Sequence, residues 1–160
     1  MKALTLYQPW ATLVAIGAKR IETRSWHTYY RGPLAIHAGM EKRYINHRSH
    51  DYICNEEPFY SVLMEAGALW HDNQFFGALP LGCIVATCEL VNCKRIDVGD
   101  WFPANLGWWK NKMFWEASER EWAFGDHSVG RFMWFLANIK ILDDPVPVKG
   151  SMGLWEWEEN

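Results

Sequence analysis

The run from Leu79 to Cys93 constrains the fold more than any other segment. It is rich in Ile, Val, Thr and Cys, carries Glu89 near its end, and reads as a strand. Its neighbours must come from shorter pieces. Residues 3 to 7 alternate as a strand, and Gln8-Pro9-Trp10 then opens a helix whose apolar content is Leu13, Val14 and Ile16 and which Gly17 stops. Arg20, Glu22 and Arg24 alternate with Ile21 and Thr23, a strand with one charged face. After the turn Arg31-Gly32-Pro33, Leu34 to Ala38 forms another strand. Over residues 40–76 the spacing of Val62, Leu63, Ala66, Leu69 and Trp70 predicts two helices with loops. Residues 94–130 read as a loop-rich insertion with a helix near 111–122, and Arg131 to Leu136 as a strand that Ile139 to Leu142 continues. Val146 to Gly150 reads as extended, and Gly153 to Trp157 closes the chain. Strands and helices mixed without βαβ regularity predict an α+β fold with a small curved or closed sheet.

With 160 residues, 49% of them hydrophobic and 22% charged, the chain is long enough for one core and too short for two full domains. Eleven Trp exceed what a small core holds, so some are expected to line a groove. The four Cys, at 54, 83, 88 and 93, follow no C-x-x-C spacing and are expected to be reduced and buried. The amino terminus turns polar too soon for a secretory signal, and no apolar stretch approaches the roughly 18 residues of a transmembrane helix. A cytoplasmic address without membrane attachment is the expectation.

The net charge of −3 conceals an asymmetry: the first fifty residues hold eight basic and two acidic side chains, the other 110 eight and seventeen. A basic segment folded onto one face would attract phosphate, whereas pairing with the acidic remainder would cancel the field. The densest stretch is Gly17-Ala18-Lys19-Arg20-Ile21-Glu22-Thr23-Arg24-Ser25-Trp26. Arginine forks suit phosphate, lysine supplies a point charge, and a Trp face can stack on a base. The alternative is a solvated strand face with Glu22 paired to Arg20 or Arg24. His37, at a strand end, is either a ligand-facing acid or base or a hydrogen-bonded structural ring. On a helix His47, His50 and Cys54 would share a face, but the segment lacks a fourth ligand and no metal site is assigned. Trp101, Trp108, Trp115 and Trp122 recur every seven residues, although Pro103 and Gly107 interrupt any helix through the first two. No nucleophile elbow, phosphate-cradling loop or dinucleotide fingerprint occurs, and no cofactor is implied.

Several separated motifs, in order, resemble the ASCH domains of the PUA-like superfold. Leu6-Tyr7-Gln8-Pro9-Trp10-Ala11 resembles the family's opening, and Gly17 to Trp26 is similar to its G-x-K-x-x-E-x-R-x-W signature. Arg31 to Ala38 resembles the strand that follows, and Leu79-Pro80-Leu81-Gly82-Cys83 the approach to the central strand. Phe124-Gly125-Asp126-His127-Ser128, Gly130-Arg131, Pro147-Val148-Lys149-Gly150 and Gly153-Leu154-Trp155 look like a bacterial or phage branch. The resemblance implies a single domain over 1–160, a small mixed β-barrel flanked by helices, with a helical insertion at 40–76 and a Trp-rich insertion at 94–122. It also implies a cleft beside the first helix.

Members of the family are regarded mainly as nucleic-acid-binding modules, and the expected function is binding of RNA or another single-stranded nucleic acid, with one nucleotide in that cleft. Gln8, Trp10, Lys19, Arg20, Glu22, Arg24, Ser25, Trp26, Arg31, Lys149 and Gly150 are the expected contacts. Lys19 and Arg24 would hold phosphate, Glu22 would read a base edge, and Trp10 or Trp26 would stack. The alternative is a ribonuclease or a hydrolase of modified nucleosides, with Lys19 and Glu22 as acid and base and His37 as helper. The hydrolase branch carries a threonine nucleophile three residues after its lysine, where this chain has Glu22. A third reading is a protein-interaction module that docks a partner through residues 101–122.

Overall fold

The computed structural model describes residues 1–46, 48–68, 79–98 and 119–158. In chain order the elements are β1 (Lys2–Leu6), α1 (Trp10–Ala15), β2 (Ile21–Arg24), β3 (Gly32–Ala38), α2 (Phe59–Glu65), β4 (Cys83–Arg95), α3 (Glu119–Ala123), β5 (Phe132–Pro147) and β6 (Leu154–Glu156). The six strands form one sheet in the order β2-β5-β4-β3-β1-β6. β1 runs parallel to β3, and the other pairings are antiparallel. The result is the α+β, PUA-like architecture expected, a curled half-barrel with β2 and β6 as its outer strands. Curling follows from the two longest strands, whose ladder shifts register between Ile84 and Ala86, Thr87 and Glu89, and Leu90 and Asn92. Each shift bends the pair and adds twist.

A helix as short as α1 does not hold alone in water. Burial fixes it: Ala11, Leu13 and Val14 are fully buried, and Gly17, at φ 77°, takes the left-handed turn that ends it. Val14 joins Leu4, Leu34, Ile36, Val85 and Trp134 in the main core. Leu13 looks the other way, into a second cluster with Phe59, Leu63 and Phe124, so α1 sits between the sheet and α2. All four cysteines are free and buried, and burial pushes the Cys54 and Cys88 thiols up to about 12.

Three details refine the expected elements. Of the two helices expected over residues 40–76, the described residues show one, α2, which starts directly after Pro58; residues 69–78, with Leu69 and Trp70, lie outside the described residues. No helix runs through residues 48–54, so exposed His50 and buried Cys54 share no helical face; His47 lies outside the described residues. β5 runs unbroken to Pro147, passing through Asn138 at φ 51°. Trp101, Trp108 and Trp115 lie outside the described residues; of the Trp-rich insertion only its ends are described, including Trp122 in α3.

Candidate nucleic-acid interface

β2 is an outer strand, and its free side is covered by α3 and the segment that follows it. Glu121, buried at 4% exposure, accepts hydrogen bonds from the backbone N–H of Arg20 and, at 2.6 Å, of Ile21. Further along, the Asp126 N–H donates to Thr23 Oγ1 at 3.1 Å, and Arg131 Nη2 donates to the Thr23 carbonyl at 3.2 Å. Between this covered strand and the β1–β6 side of the sheet lies a cleft of about 880 Å³. That volume is within the usual range for small-ligand sites, roughly 300–1,000 Å³.

One wall is polar. Glu22, Arg24, Asp126 and Arg131 line it, as two ion pairs: Arg24 Nε to Glu22 Oε1 at 3.3 Å and Arg131 Nε to Asp126 Oδ2 at 3.3 Å. Arg24 also reaches across the opening and donates from Nη2 to the Thr5 carbonyl at 2.8 Å. Beneath this wall is Lys19, whose Nζ donates to the Ile21 carbonyl at 2.5 Å and lies 3.4 Å from Glu22 Oε2. Against the expectation of a solvent-facing cation, Lys19 is fully buried. Burial pulls its pKa below lysine's ordinary value, and the Glu22 carboxylate restores part of the loss.

The other walls are aromatic. Trp10 meets Tyr44 edge-on at 4.8 Å, and its Nε1 donates to the Phe124 carbonyl at 2.9 Å. Trp26 stands edge-on to Trp134 at 4.6 Å. Half-exposed Tyr7 and exposed Met40 and Met152 form the rim. Gly150 and Ser151 supply a strap between β5 and β6, tied by the Thr5 hydroxyl donating to the Ser151 carbonyl at 2.8 Å.

Of the residues expected from the sequence, Trp10, Glu22, Arg24, Trp26 and Gly150 meet in this cleft. Gln8 is fully buried and spends its amide on the Thr12 N–H and the Pro80 carbonyl, a clamp on the start of α1. Arg20 pairs with Glu121 outside the cleft, Arg31 donates to the carbonyls of Thr28 and Tyr30, and Ser25 and Lys149 are exposed away from it. His37, 2% exposed, lies behind Gly150 and does not line the cleft. Five of the eight basic residues among the first fifty, Lys2, Lys19, Arg20, Arg24 and Arg43, are ion-paired, so the basic segment is largely compensated. Asp126, Arg131 and Glu121 were not expected; Asp126 lies in the Phe124-Gly125-Asp126-His127-Ser128 motif and Arg131 in Gly130-Arg131, whereas Glu121 lies in neither. No group of three or more metal-ligating side chains occurs among the described residues, and no helix there is long and apolar enough to cross a membrane.

The chain matches the family model described as "ASCH domain" over residues 4–130. It is 33% identical over 154 residues to the Homo sapiens protein "Activating signal cointegrator 1" and 32% identical over 154 residues to the Mus musculus protein of that name. Each alignment covers 96% of this chain and 22% of the relative, so the chain spans about a fifth of the length of these curated relatives.

Proposed function

The chain belongs to the ASCH domain family, which is associated with RNA binding, and from that premise we propose that its cleft holds one splayed nucleotide of RNA or another single strand. One observation carries this reading: a cleft in which two arginines and two carboxylates face the aromatic rings of Trp10, Trp26 and Tyr44. Such rings accept the π-face of any base, and guanidinium groups hold the flanking phosphates. In this reading Glu22 accepts from a base amino group. Lys19, being buried, serves the site through Glu22 and does not touch phosphate.

The test is fluorescence anisotropy of labelled single- and double-stranded RNA and DNA at two salt concentrations, with Arg24→Ala and Arg131→Ala proteins alongside. The reading requires tighter binding of single strands and a salt slope that falls by about one in each variant. Unchanged affinity and slope in both variants would refute it.

A second reading, a ribonuclease or hydrolase of modified nucleosides, is favoured by one feature, the lowered pKa of Lys19 beside a carboxylate that lines the cleft. In that case Glu22 is the acid or base that meets substrate. Turnover of a modified nucleoside or of RNA should then vanish in Glu22→Gln, and turnover that survives would exclude it.

A further inference from the structure

We infer that His37 is a positioning residue for this cleft, holding the strap at Val148–Ser151 in place while its ring is neutral and releasing it when the ring is protonated. The inference rests on the cleft being the binding site, and the geometry behind it is as follows. His37 sits in β3 at 2% exposure, and its Nε2 faces the Val148 carbonyl at 3.0 Å. That contact places the ring proton on Nε2 and leaves Nδ1 a bare acceptor. Nδ1 is buried without a hydrogen-bond partner. Gly150 covers it: a Cβ at this position would lie 2.5 Å from Nδ1 and 2.9 Å from Thr5 Oγ1, and would overlap the ring at Cε1. Glycine is therefore needed here for close approach of the strap to the ring, and Gly150 is itself a cleft residue.

The groups packed around His37 supply no countercharge. From β1 comes the Thr5 hydroxyl, from β6 the edge-on Trp155 ring at 5.7 Å, and from the strap the Val148 carbonyl and Gly150. Among the described residues no carboxylate pairs with the ring, and Lys149, the strap's own charge, is exposed. A proton added at Nδ1 would thus point into the Gly150 backbone with no acceptor among the described residues. Two changes can relieve it: the ring stays neutral, which is why burial pulls its pKa below the ordinary value, or the strap lifts away. The strap is linked onward. Thr5 takes Trp155 Nε1–H at 3.2 Å on the same hydroxyl that holds Ser151, and its carbonyl takes Arg24, so lifting the strap loosens Thr5 and with it the arginine of the polar wall.

The experiment follows the ¹H–¹⁵N resonances of Thr5, Gly150, Ser151 and the Trp155 indole from pH 7.5 to 4.5, with the affinity for a labelled single-stranded RNA oligonucleotide measured in parallel at constant salt. The expected result is one common midpoint for the His37 ring and the strap resonances, with binding weakening by about tenfold for each pH unit below it. His37→Gln retains an N–H donor and cannot titrate, so in that protein both the strap shifts and this component of the pH dependence disappear. His127 and the cleft carboxylates remain in the variant and report their own contribution. Gly150→Ala, which forces the strap off the ring, is expected to show the low-pH strap resonances at every pH. Strap resonances that ignore the His37 titration, or a His37→Gln protein with an unchanged pH profile, would overturn the inference. Strap resonances that titrate as expected while RNA fails to bind at any pH would uphold the device and refute the nucleic-acid reading instead.

Discussion

Lys19 Nζ lies 3.4 Å from Glu22 Oε2, and of the two side chains only the carboxylate reaches the cleft. The cation is screened from solvent by its own partner, and Glu22 is held from two sides because Arg24 approaches its other oxygen at 3.3 Å. The two members of the pair are therefore unequal: Glu22 without Lys19 still has an arginine, but Lys19 without Glu22 is a buried charge with its nearest counter-ion removed.

Glu22→Gln is accordingly expected to cost more stability than Lys19→Met. Stranding one member of a buried pair costs about 3–5 kcal/mol, and Glu22→Gln should fall in that range at neutral pH. The lysine's folded pKa is already below 10.5, so the unfolded chain binds more protons and its contribution to stability increases as pH rises toward that value. Removing Glu22 lowers the folded pKa further and should start this rise at lower pH. Urea titrations from pH 7 to 10 check both points; parallel stability curves for wild type and Glu22→Gln would contradict them.

His127 gives the opposite test, in acid. Burial, with help from the Lys19 charge, pushes its pKa from 6.5 to about 4, and its ring stacks on Trp122 at 3.8 Å. Between those two values the unfolded chain binds the proton that the folded chain refuses. Stability should therefore fall as pH drops from 6.5 toward 4, by on the order of 3 kcal/mol from this residue. His127→Gln should flatten that part of the pH–stability curve, measured by thermal or urea unfolding.

Trp26 should behave as a stacking face. Its loss to alanine is expected to cost about 1–3 kcal/mol of single-strand affinity. Because Trp26 also packs on Trp134, Trp26→Phe serves as the control that keeps a ring against that partner. Anisotropy should show Phe retaining most of what Ala loses, and equal losses in the two proteins would point to packing rather than stacking.

Asp126→Asn should strengthen binding. Asp126 neutralises Arg131 at 3.3 Å on the polar wall of the cleft, so removing its charge frees the guanidinium for phosphate. The salt slope of RNA binding should steepen by about one. An unaltered slope would mean that Arg131 faces no phosphate.

Much of the sheet was legible in the sequence because alternation and glycine placement are local signals. β1 and β3 begin within two residues of where alternation and the Gly32-Pro33 turn put them, β4 begins at Cys83 rather than at Leu79, and Gly17 ends α1 as read. The site was half legible: Glu22, Arg24, Trp10 and Trp26 lie within one short stretch, and their chemistry shows in their types. Their surroundings do not. The burial of Lys19 depends on Glu121, about a hundred residues away, which covers the start of β2, and nothing near Lys19 in the sequence announces that lid. Asp126 and Arg131 were missed for the same reason. Of the two helices expected over 40–76, the helical spacing of Val62 and Leu63 found α2, which starts directly after Pro58.

The pairing of β1 with β6, Lys2 opposite Glu156, has a consequence for how the chain is made. The first strand emerges from the ribosome with its parallel neighbour β3 close behind, yet its outer edge is covered only by the last strand. At 5–20 residues per second of synthesis, that edge stays bare for about 8–30 s. During that interval the nascent sheet offers an open row of backbone donors and acceptors to other nascent chains and to chaperones. The covering strand is three residues long, so the protection of this edge waits on the synthesis of Leu154–Glu156.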